Sequence, residues 1–418
     1  MRRTFSSLRV RNFRLFVSGQ LVSLTGTWMQ RVAQDWLVLR LSHNSGTAIG
    51  ITTGLQFLPF LLFGLYGGVI ADRYPKRRLL VITQITMAVQ AALLAALDLS
   101  HSVTLSEVYA LAFMLGVSSA FDNPTRQAFV TEMVGEEHVV NAVGLNSATF
   151  NGARIIGPAL AGLIIDFSST GWVFAANAVS YVAVVASLLA MRTGELQVTR
   201  LVARAPGQIR AGLSYLKGNL DLVIPILLVG VIGALGFNFQ ITLALMDKLV
   251  FHRSAGTYGL LTSALAVGSL IGALIGARRT NPSRRALVGG AFAFGVLELL
   301  AAFMPTIPAL VAILVPTGLA AILFTTAANA TLQLRSTAEM RGRVMGVYML
   351  VFLGGTPIGA PLVGWIAQEL GPRASILLGG LSTMVIAVIA GLLVLRRGAP
   401  ATPLARRAAA FVGGATPA

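Results

Sequence analysis

A chain of 418 residues that is 55% hydrophobic and only 11% charged lies far from the roughly 25% charged content of soluble domains, so its solvent must be largely a bilayer. The net charge of +17 suggests a nucleic-acid partner. The cations, however, fall in small clusters where apolar runs stop, not on one face interleaved with aromatics. Cysteine is absent and the four histidines (His43, His101, His138, His252) stand far apart in connections, which excludes disulfides, thiolate chemistry and a histidine-based metal centre.

The chain opens with Arg2, Arg3, Arg9, Arg11 and Arg14, like the start of a signal peptide. The apolar stretch that follows is too long for one and lacks a small-residue cleavage site, so it reads as a first spanning helix. A span needs about 20 mostly apolar residues. Twelve segments meet that measure, at about 13–40, 46–71, 77–98, 104–128, 139–167, 171–191, 221–247, 255–277, 285–304, 307–332, 343–368 and 373–395. Segment 192–219 is polar and basic, with Pro206 and Gly207 ahead of a short amphipathic stretch, and reads as a linker on the cytoplasmic face. An Ala/Pro/Gly-rich tail covers 396–418 and is expected to be disordered. The expected organisation is a six-helix bundle at 1–191, the linker, a second bundle at 220–395 and the tail.

Charge sets the orientation. With the N-terminus cytoplasmic, 26 of the 32 lysines and arginines fall in inside segments and only Arg40, Lys248, Arg253 and Arg373 outside, while Arg31 and Arg154 lie within helices. That bias matches an even helix count with both termini in the cytoplasm of a bacterial-type plasma membrane.

The halves repeat. Gly144, Gly157 and Gly162 match Gly346, Gly359 and Gly364 at an offset of 202, and Ser45-Gly46-Thr47 echoes Ala255-Gly256-Thr257 at an offset of 210. Two six-helix repeats keep the same orientation, so the symmetry axis runs along the membrane normal and the substrate site lies between the halves. The fold class is therefore an all-α integral membrane protein with twelve transmembrane helices in two pseudo-symmetric six-helix bundles.

No Ser–His pairing or phosphate-cradling glycine loop is present, so the chain reads as a non-enzyme without cofactor or metal, driven by a gradient. Intramembrane charge costs roughly 2.5–3.5 kcal/mol at a helix centre and marks function. Asp35 and Arg31 lie a turn apart on the first helix, whose Gln20, Ser23, Thr27, Gln30 and Gln34 form a polar stripe expected to line a central cavity. The fifth helix adds Ser147, Asn151 and Arg154, the seventh Asn238 and Thr242, the ninth Glu298, and the tenth Thr326, Asn329 and Gln333. Trp28 and Phe237 supply apolar walls. Asp35 and Glu298 are the candidates for exchanging a proton, with Arg31 modulating Asp35; Arg154 is a further candidate because no acid lies within four positions on its own helix, and a structural hydrogen-bonding role is the competing reading for Glu298. A static Asp35–Arg31 pair is the competing reading.

Between the second and third spans lies Gly68-Val69-Ile70-Ala71-Asp72-Arg73-Tyr74-Pro75-Lys76-Arg77-Arg78. This glycine, acid, arginine and terminal basic pair resemble the signature loop of major facilitator superfamily transporters, with Pro75 in place of a second glycine. The resemblance implies the major facilitator fold and a cytoplasmic latch built on Gly68, Asp72, Arg73 and Arg77, with Asp122 as a partner for Arg73 or Arg77. In the second half Gly276 replaces the acid, so the latch is expected to be asymmetric. Gly157-Pro158 resembles the helix-bend motif of proton-coupled antiporters in that superfamily.

Arg11-Asn12-Phe13-Arg14-Leu15-Phe16, Phe121-Asp122-Asn123-Pro124-Thr125-Arg126 and Asn151-Gly152-Ala153-Arg154-Ile155-Ile156-Gly157-Pro158 are similar to the bacterial branch of enterobactin exporters and drug:proton antiporters. This resemblance implies a monomeric exporter of amphipathic small molecules that exchanges them for protons. A nutrient facilitator or symporter, and a transporter-like fold used for lipid handling or partner binding, are the alternatives.

Overall fold

The computed structural model describes residues 6–197, 208–217, 219–278 and 283–396; the basic residues at 1–5, Pro206-Gly207 and the tail from 397 lie outside them. Among the described residues the first half holds α1 (Arg11–Leu41), α2 (Gly46–Arg73), α3 (Lys76–Leu99), α4 (Leu105–Val134), α5 (Val139–Phe167) and α6 (Thr170–Leu189). A short helix α7 (Gln208–Lys217) follows, then α8 (Leu220–Val231), α9 (Phe239–Leu245), α10 (Ala255–Ala277), α11 (Arg284–Ala302), α12 (Ile307–Arg335), α13 (Ala338–Gly354), α14 (Thr356–Glu369) and α15 (Pro372–Arg396). Among the described residues, eleven helical spans are long and apolar enough to cross a membrane. The twelfth is α1, 31 residues long, whose glutamines and charges lower its hydropathy.

Local chemistry explains the ends. Pro75 forces Tyr74 into an extended conformation (φ −110°, ψ 154°) and so stops α2 at the basic loop. Thr104 and Glu107 form a reciprocal capping box at the start of α4, satisfying amides that would otherwise lack partners. His43, His101 and His252 take left-handed φ values of 52–57° in the turns after α1, α3 and α9, a conformation to which histidine is better suited than most residues.

Two expected spans are not single helices. The segment expected as one helix at 221–247 consists of α8, a π-helical turn at Ile232–Gly236, α9 and a second π-helical turn at Met246–Val250. Phe237 N–H reaches back five residues to the Ile232 carbonyl. The Asn238 side chain donates to the Ala234 carbonyl at 2.7 Å, the acceptor its own amide would use in an α-helix, so the side chain displaces the backbone ladder. The segment expected at 343–368 is likewise α13 and α14, joined at Gly355, with Pro357 in the first turn of α14.

α1 packs on α5 and α6, α2 on α4, and α3 on α4 and α6; in the second half α10 packs on α12, and α11 on α12 and α15. The halves meet through α2 against α14 and α5 against α10. Large apolar side chains such as Ile82, Val179, Val385 and Leu395 are exposed on α3, α6 and α15, a lipid-facing belt.

Candidate functional site

The two seams between the halves are built alike. At one end of the molecule a methyl group on Gly364 would overlap the Gly46 carbonyl, and one on Gly50 would lie 2.9 Å from Pro361 Cα. On the other seam a methyl on Gly162 would lie 2.7 Å from Gly256 Cα, and one on Gly259 would overlap the Pro158 carbonyl. Only glycine permits backbones so close. Gln368 Oε1, at the end of α14, accepts from Ser45 Oγ (2.6 Å) and Thr47 N–H (3.3 Å) at the start of α2. Its counterpart at offset 202, Asp166, accepts from Ser254 Oγ (2.7 Å) and Gly256 N–H (3.1 Å) at the start of α10. Each half thus caps a helix of the other.

Toward the opposite end, which carries the basic residues of 73–78, the same helices diverge. A methyl group on Gly64 of α2, Gly144 or Gly152 of α5, or Gly342 or Gly346 of α13 would meet nothing within 4 Å. The repeated pair Gly144 and Gly346 therefore faces open space in both halves, while Gly162 and Gly364 seal the other end.

Buried polar groups sit just inside the sealed end. Asp35 is 4% exposed and accepts a 2.7 Å hydrogen bond from Tyr258 of α10, across the divide between the halves. Tyr258 is also 3.1 Å from the Gln240 carbonyl and stacks on Trp36, ring centroids 6.4 Å apart. Arg31 forms no ion pair with Asp35 within 4.0 Å among the described residues, and its Nε has no hydrogen-bond partner. The static pair is thus absent. The Arg31 guanidinium instead lies 4.5 Å from the centroid of the Trp28 ring, with Arg154 5.6 Å from it. Phe57 and Phe150 complete an aromatic surround. Cation–π contact stabilises such guanidiniums while leaving their N–H edges free for an acceptor.

The second half holds another polar cluster, at the π-helical turn. Glu298 is 3% exposed, and among the described residues its Oε2, Thr383 Oγ1 and Asn238 Oδ1 have no hydrogen-bond partner. The carboxyl is wedged between Gly236 and Gly379, where added methyl groups would touch it. Phe237 packs on Phe294 and Phe352, and Thr242 bonds the Asn238 carbonyl.

Several other expected cavity residues bond within their own bundle or helix. Gln30 is locked inside the first bundle, donating to Gln90 (2.9 Å) and accepting from Asn177 (2.6 Å); Thr27 bonds Tyr181; Gln20 accepts from Arg126. The polar stripe of α1 turns mostly toward polar residues of α3, α4 and α6, which satisfy it as well as water would. Gln34 is buried with an unpartnered Oε1. Ser147 and Asn151 bond carbonyls of their own helix, Thr326 is exposed and Asn329 accepts from Gln333.

The expected latch pairings also differ. Asp122 accepts from Thr83 (2.9 Å) and Gln84 (2.8 Å), with Arg126 at 3.6 Å, all inside its own bundle. Arg77 donates to the Leu188 and Leu189 carbonyls at the end of α6, an orphan-carbonyl site suited to a cation. Arg73 is exposed, Gly68 lies in the last turns of α2, and the Asp72 side chain lies outside what the structure describes. In the second half Arg284 and Arg335 converge on Asp221 at 2.5 and 2.6 Å. Gly157 packs on Thr25 and Trp28 of α1, and Pro158 on Gly259 of α10.

Sequence reasoning missed Tyr258, Asp166 and Gln368. The repeated Ser-Gly-Thr and Ala-Gly-Thr helix starts were the available signal for the caps; a lone tyrosine in an apolar span offers none.

Comparison with known proteins agrees with this architecture. The family model described as transmembrane secretion effector matches residues 2–407. The staphyloferrin A transporter of Staphylococcus aureus is 26% identical, over 90% of this chain and 94% of its own length. The multidrug efflux pump Tap of Mycolicibacterium fortuitum is 27% identical with the same coverage, and the enterobactin exporter EntS of Salmonella choleraesuis 24% identical over 90% and 91%. Among solved structures, the nucleoside transporter NupG shares the fold with a TM-score of 0.72 at 13% identity, covering 91% of this chain and 98% of its own. A bacterial homologue of the lysosomal transporter Spinster scores 0.71 at 15% identity, covering 96% and 97%. A repeat-built helical membrane protein sealed at one end, with relatives matched over nearly their full length, is a transporter and not an enzyme: the chain belongs to the transmembrane secretion effector family of the major facilitator superfamily.

Proposed function

We propose that this protein is a secondary active exporter of amphipathic small molecules, working by alternating access and exchanging its substrate for protons. The observation that carries the reading is the combination of halves sealed by glycine seams at one end, diverging at the other, and enclosing two guanidiniums on Trp28 that form no ion pair among the described residues. A substrate with an aromatic or apolar body can lie against Trp28, Phe57 and Phe150, while its oxygen acceptors take hydrogens from Arg31 and Arg154. Siderophores and drugs, the cargoes named for its relatives, have both features.

On this reading the diverging end faces the cytoplasm, because it carries the basic loops, and the protein works as a monomer in the plasma membrane. The bundles are divided at 1–191 and 220–395. Asp35 is the first candidate for carrying the proton and Glu298 the second. Both are buried carboxyls, but Asp35 alone spans the two halves. One proton falling through 100 mV supplies about 2.3 kcal/mol, and one pH unit adds about 1.4 kcal/mol. Together they sustain a gradient of several hundredfold for a neutral substrate.

The test is efflux of a panel of dyes, antibiotics and siderophores from proteoliposomes under an imposed proton gradient. Asp35→Asn is expected to abolish uphill movement while leaving downhill leak. Uphill transport retained in that variant rejects the coupling role of Asp35, and uptake in place of efflux favours the symporter.

A further inference from the structure

We infer that Tyr258 is a positioning residue for transport: its buried hydrogen bond to Asp35 is a proton-sensitive fastening of the sealed end, so that protonation of Asp35 loosens that end. This inference rests on the proton-exchange reading of Asp35 above. The remaining cross-half bonds described here do not depend on Asp35. Ser45 and Thr47 bond the neutral Gln368 and Ser263 donates to the Ile155 carbonyl at 2.7 Å; Asp166, also a carboxylate, caps α10 at an exposed position where water competes for it. The Asp35–Tyr258 bond is buried.

The repeat provides an internal control. At the offset of 210 that relates the starts of α2 and α10, Asp35 corresponds to Leu245 and Tyr258 to Ala48. Both counterparts are buried and apolar, and Leu245 lies beside Gly46 on the other seam. Closure of the fold therefore needs no polar bond at this place, since the matching seam is sealed by hydrocarbon and glycine. One seam carries an acid and a phenol where symmetry permits Leu and Ala, which marks the pair as an addition for switching and not for architecture.

The chemistry follows from bond strength. A phenol O–H donating to a carboxylate makes a charge-assisted bond, roughly twice as strong as the neutral bond left when the carboxyl is protonated. With Asp35 ionised, the bond draws α10 onto α1 and favours the sealed arrangement seen here. With Asp35 protonated, the bond weakens and the sealed end separates more readily. A proton taken up while that end is open is then released as the Tyr258 bond re-forms, which gives proton movement the direction that exchange requires. Other charged or titratable groups lie close enough to compete. Arg31 stands a turn away on α1, with Tyr181 of α6 and Arg154 of α5 near it. Asp247 and Lys248, in the second π-helical turn, lie near Tyr258 and Trp36, with Asp166 and Arg253 beyond. Asp247 is the main rival, being fully buried with both carboxylate oxygens unpartnered among the described residues.

The absence of native cysteine makes a distance measurement direct. Spin labels at His43→Cys and Glu369→Cys, on the seam that lacks Tyr258, report separation of the sealed end in nanodiscs as pH is varied. The unmodified protein is expected to gain a longer-distance population as pH falls, a shift of roughly fivefold in the open-to-closed ratio. Asp35→Asn and Tyr258→Phe are each expected to hold that ratio at its acid-side value at every pH, with no additive effect in the double variant. Ser263→Ala should lower the closed fraction equally at all pH values, and Asp247→Asn and Asp166→Asn should each keep the pH response. A Tyr258→Phe protein that retains the full pH response overturns the inference, as does loss of the response in Asp247→Asn or Asp166→Asn alone. Parallel proteoliposome assays separate the two levels. Proton-driven efflux with an unaltered pH response in Tyr258→Phe refutes only the fastening role, whereas a pH-gated distance change without proton-driven efflux refutes only the exchange reading.

Discussion

At the scale of single residues, burial and partner chemistry separate side chains that the sequence presents as equivalent. Gln30 and Arg154 are both polar groups at membrane depth, yet Gln30 is held between Gln90 and Asn177 while Arg154 lies over the face of Trp28. Gln30→Leu therefore strands two buried amides and is expected to cost about 1–3 kcal/mol of stability, read as a lower unfolding temperature in detergent with an unchanged substrate profile. Arg154→Gln should do the reverse: thermal stability close to that of the unmodified protein, with apparent substrate affinity in efflux assays weakened roughly tenfold. The three-four spacing of Gln20, Thr27 and Gln30 made a polar face legible but not its direction. A hydrogen-bonding neighbour helix and a water-filled space are equally good destinations for such a face, and only packing distinguishes them. Arg31 was legible as an unusual charge, but its stacking on Trp28 depends on side-chain geometry that spacing does not carry.

At the scale of helices, the α2–α14 and α5–α10 seams are set by glycine, and position along each helix decides the effect of adding a methyl group. Gly50→Ala places a carbon against Ala360 and Pro361 and should part the sealed end, seen as lost disulfide cross-linking between cysteines introduced at Ser45 and Gln368. Gly346→Ala faces open space and should leave cross-linking and transport unchanged; a similar loss in both variants would contradict the divergence of the helices. Spans and their order were legible because a hydrocarbon layer admits only long apolar helices; most observed ends lie within a few residues of expectation, and α4 runs six residues past it to Val134. The π-helical turns were not. They arise where the Asn238 side chain takes a backbone acceptor at 2.7 Å, a competition that hydropathy does not register. The break between α13 and α14 was similarly hidden, although Gly355 and Pro357 stand at it.

At the scale of the whole molecule, the repeat is expressed in the contacts themselves: Gly162 meets Gly256 as Gly364 meets Gly46, and Asp166 caps α10 as Gln368 caps α2. Two like-facing halves predict a simple labelling pattern. Single cysteines at Arg78 and Arg192 should react with a membrane-impermeant reagent from the cytoplasmic side only, and those at His43 and Arg253 from the other side only. Labelling of Arg78 and Arg192 from opposite sides would exclude this arrangement. The seams carry a final consequence. At their closest points these joints set glycine against a carbonyl edge, so parting them there breaks short contacts and helix caps, with no side chains to disengage at those points. The resting preference for one posture is then shallow, and an occupant whose grip differs between postures by about 1.4 kcal/mol changes their ratio tenfold. A small bias of that kind lets a single cargo molecule or a single proton decide which way the machine tilts.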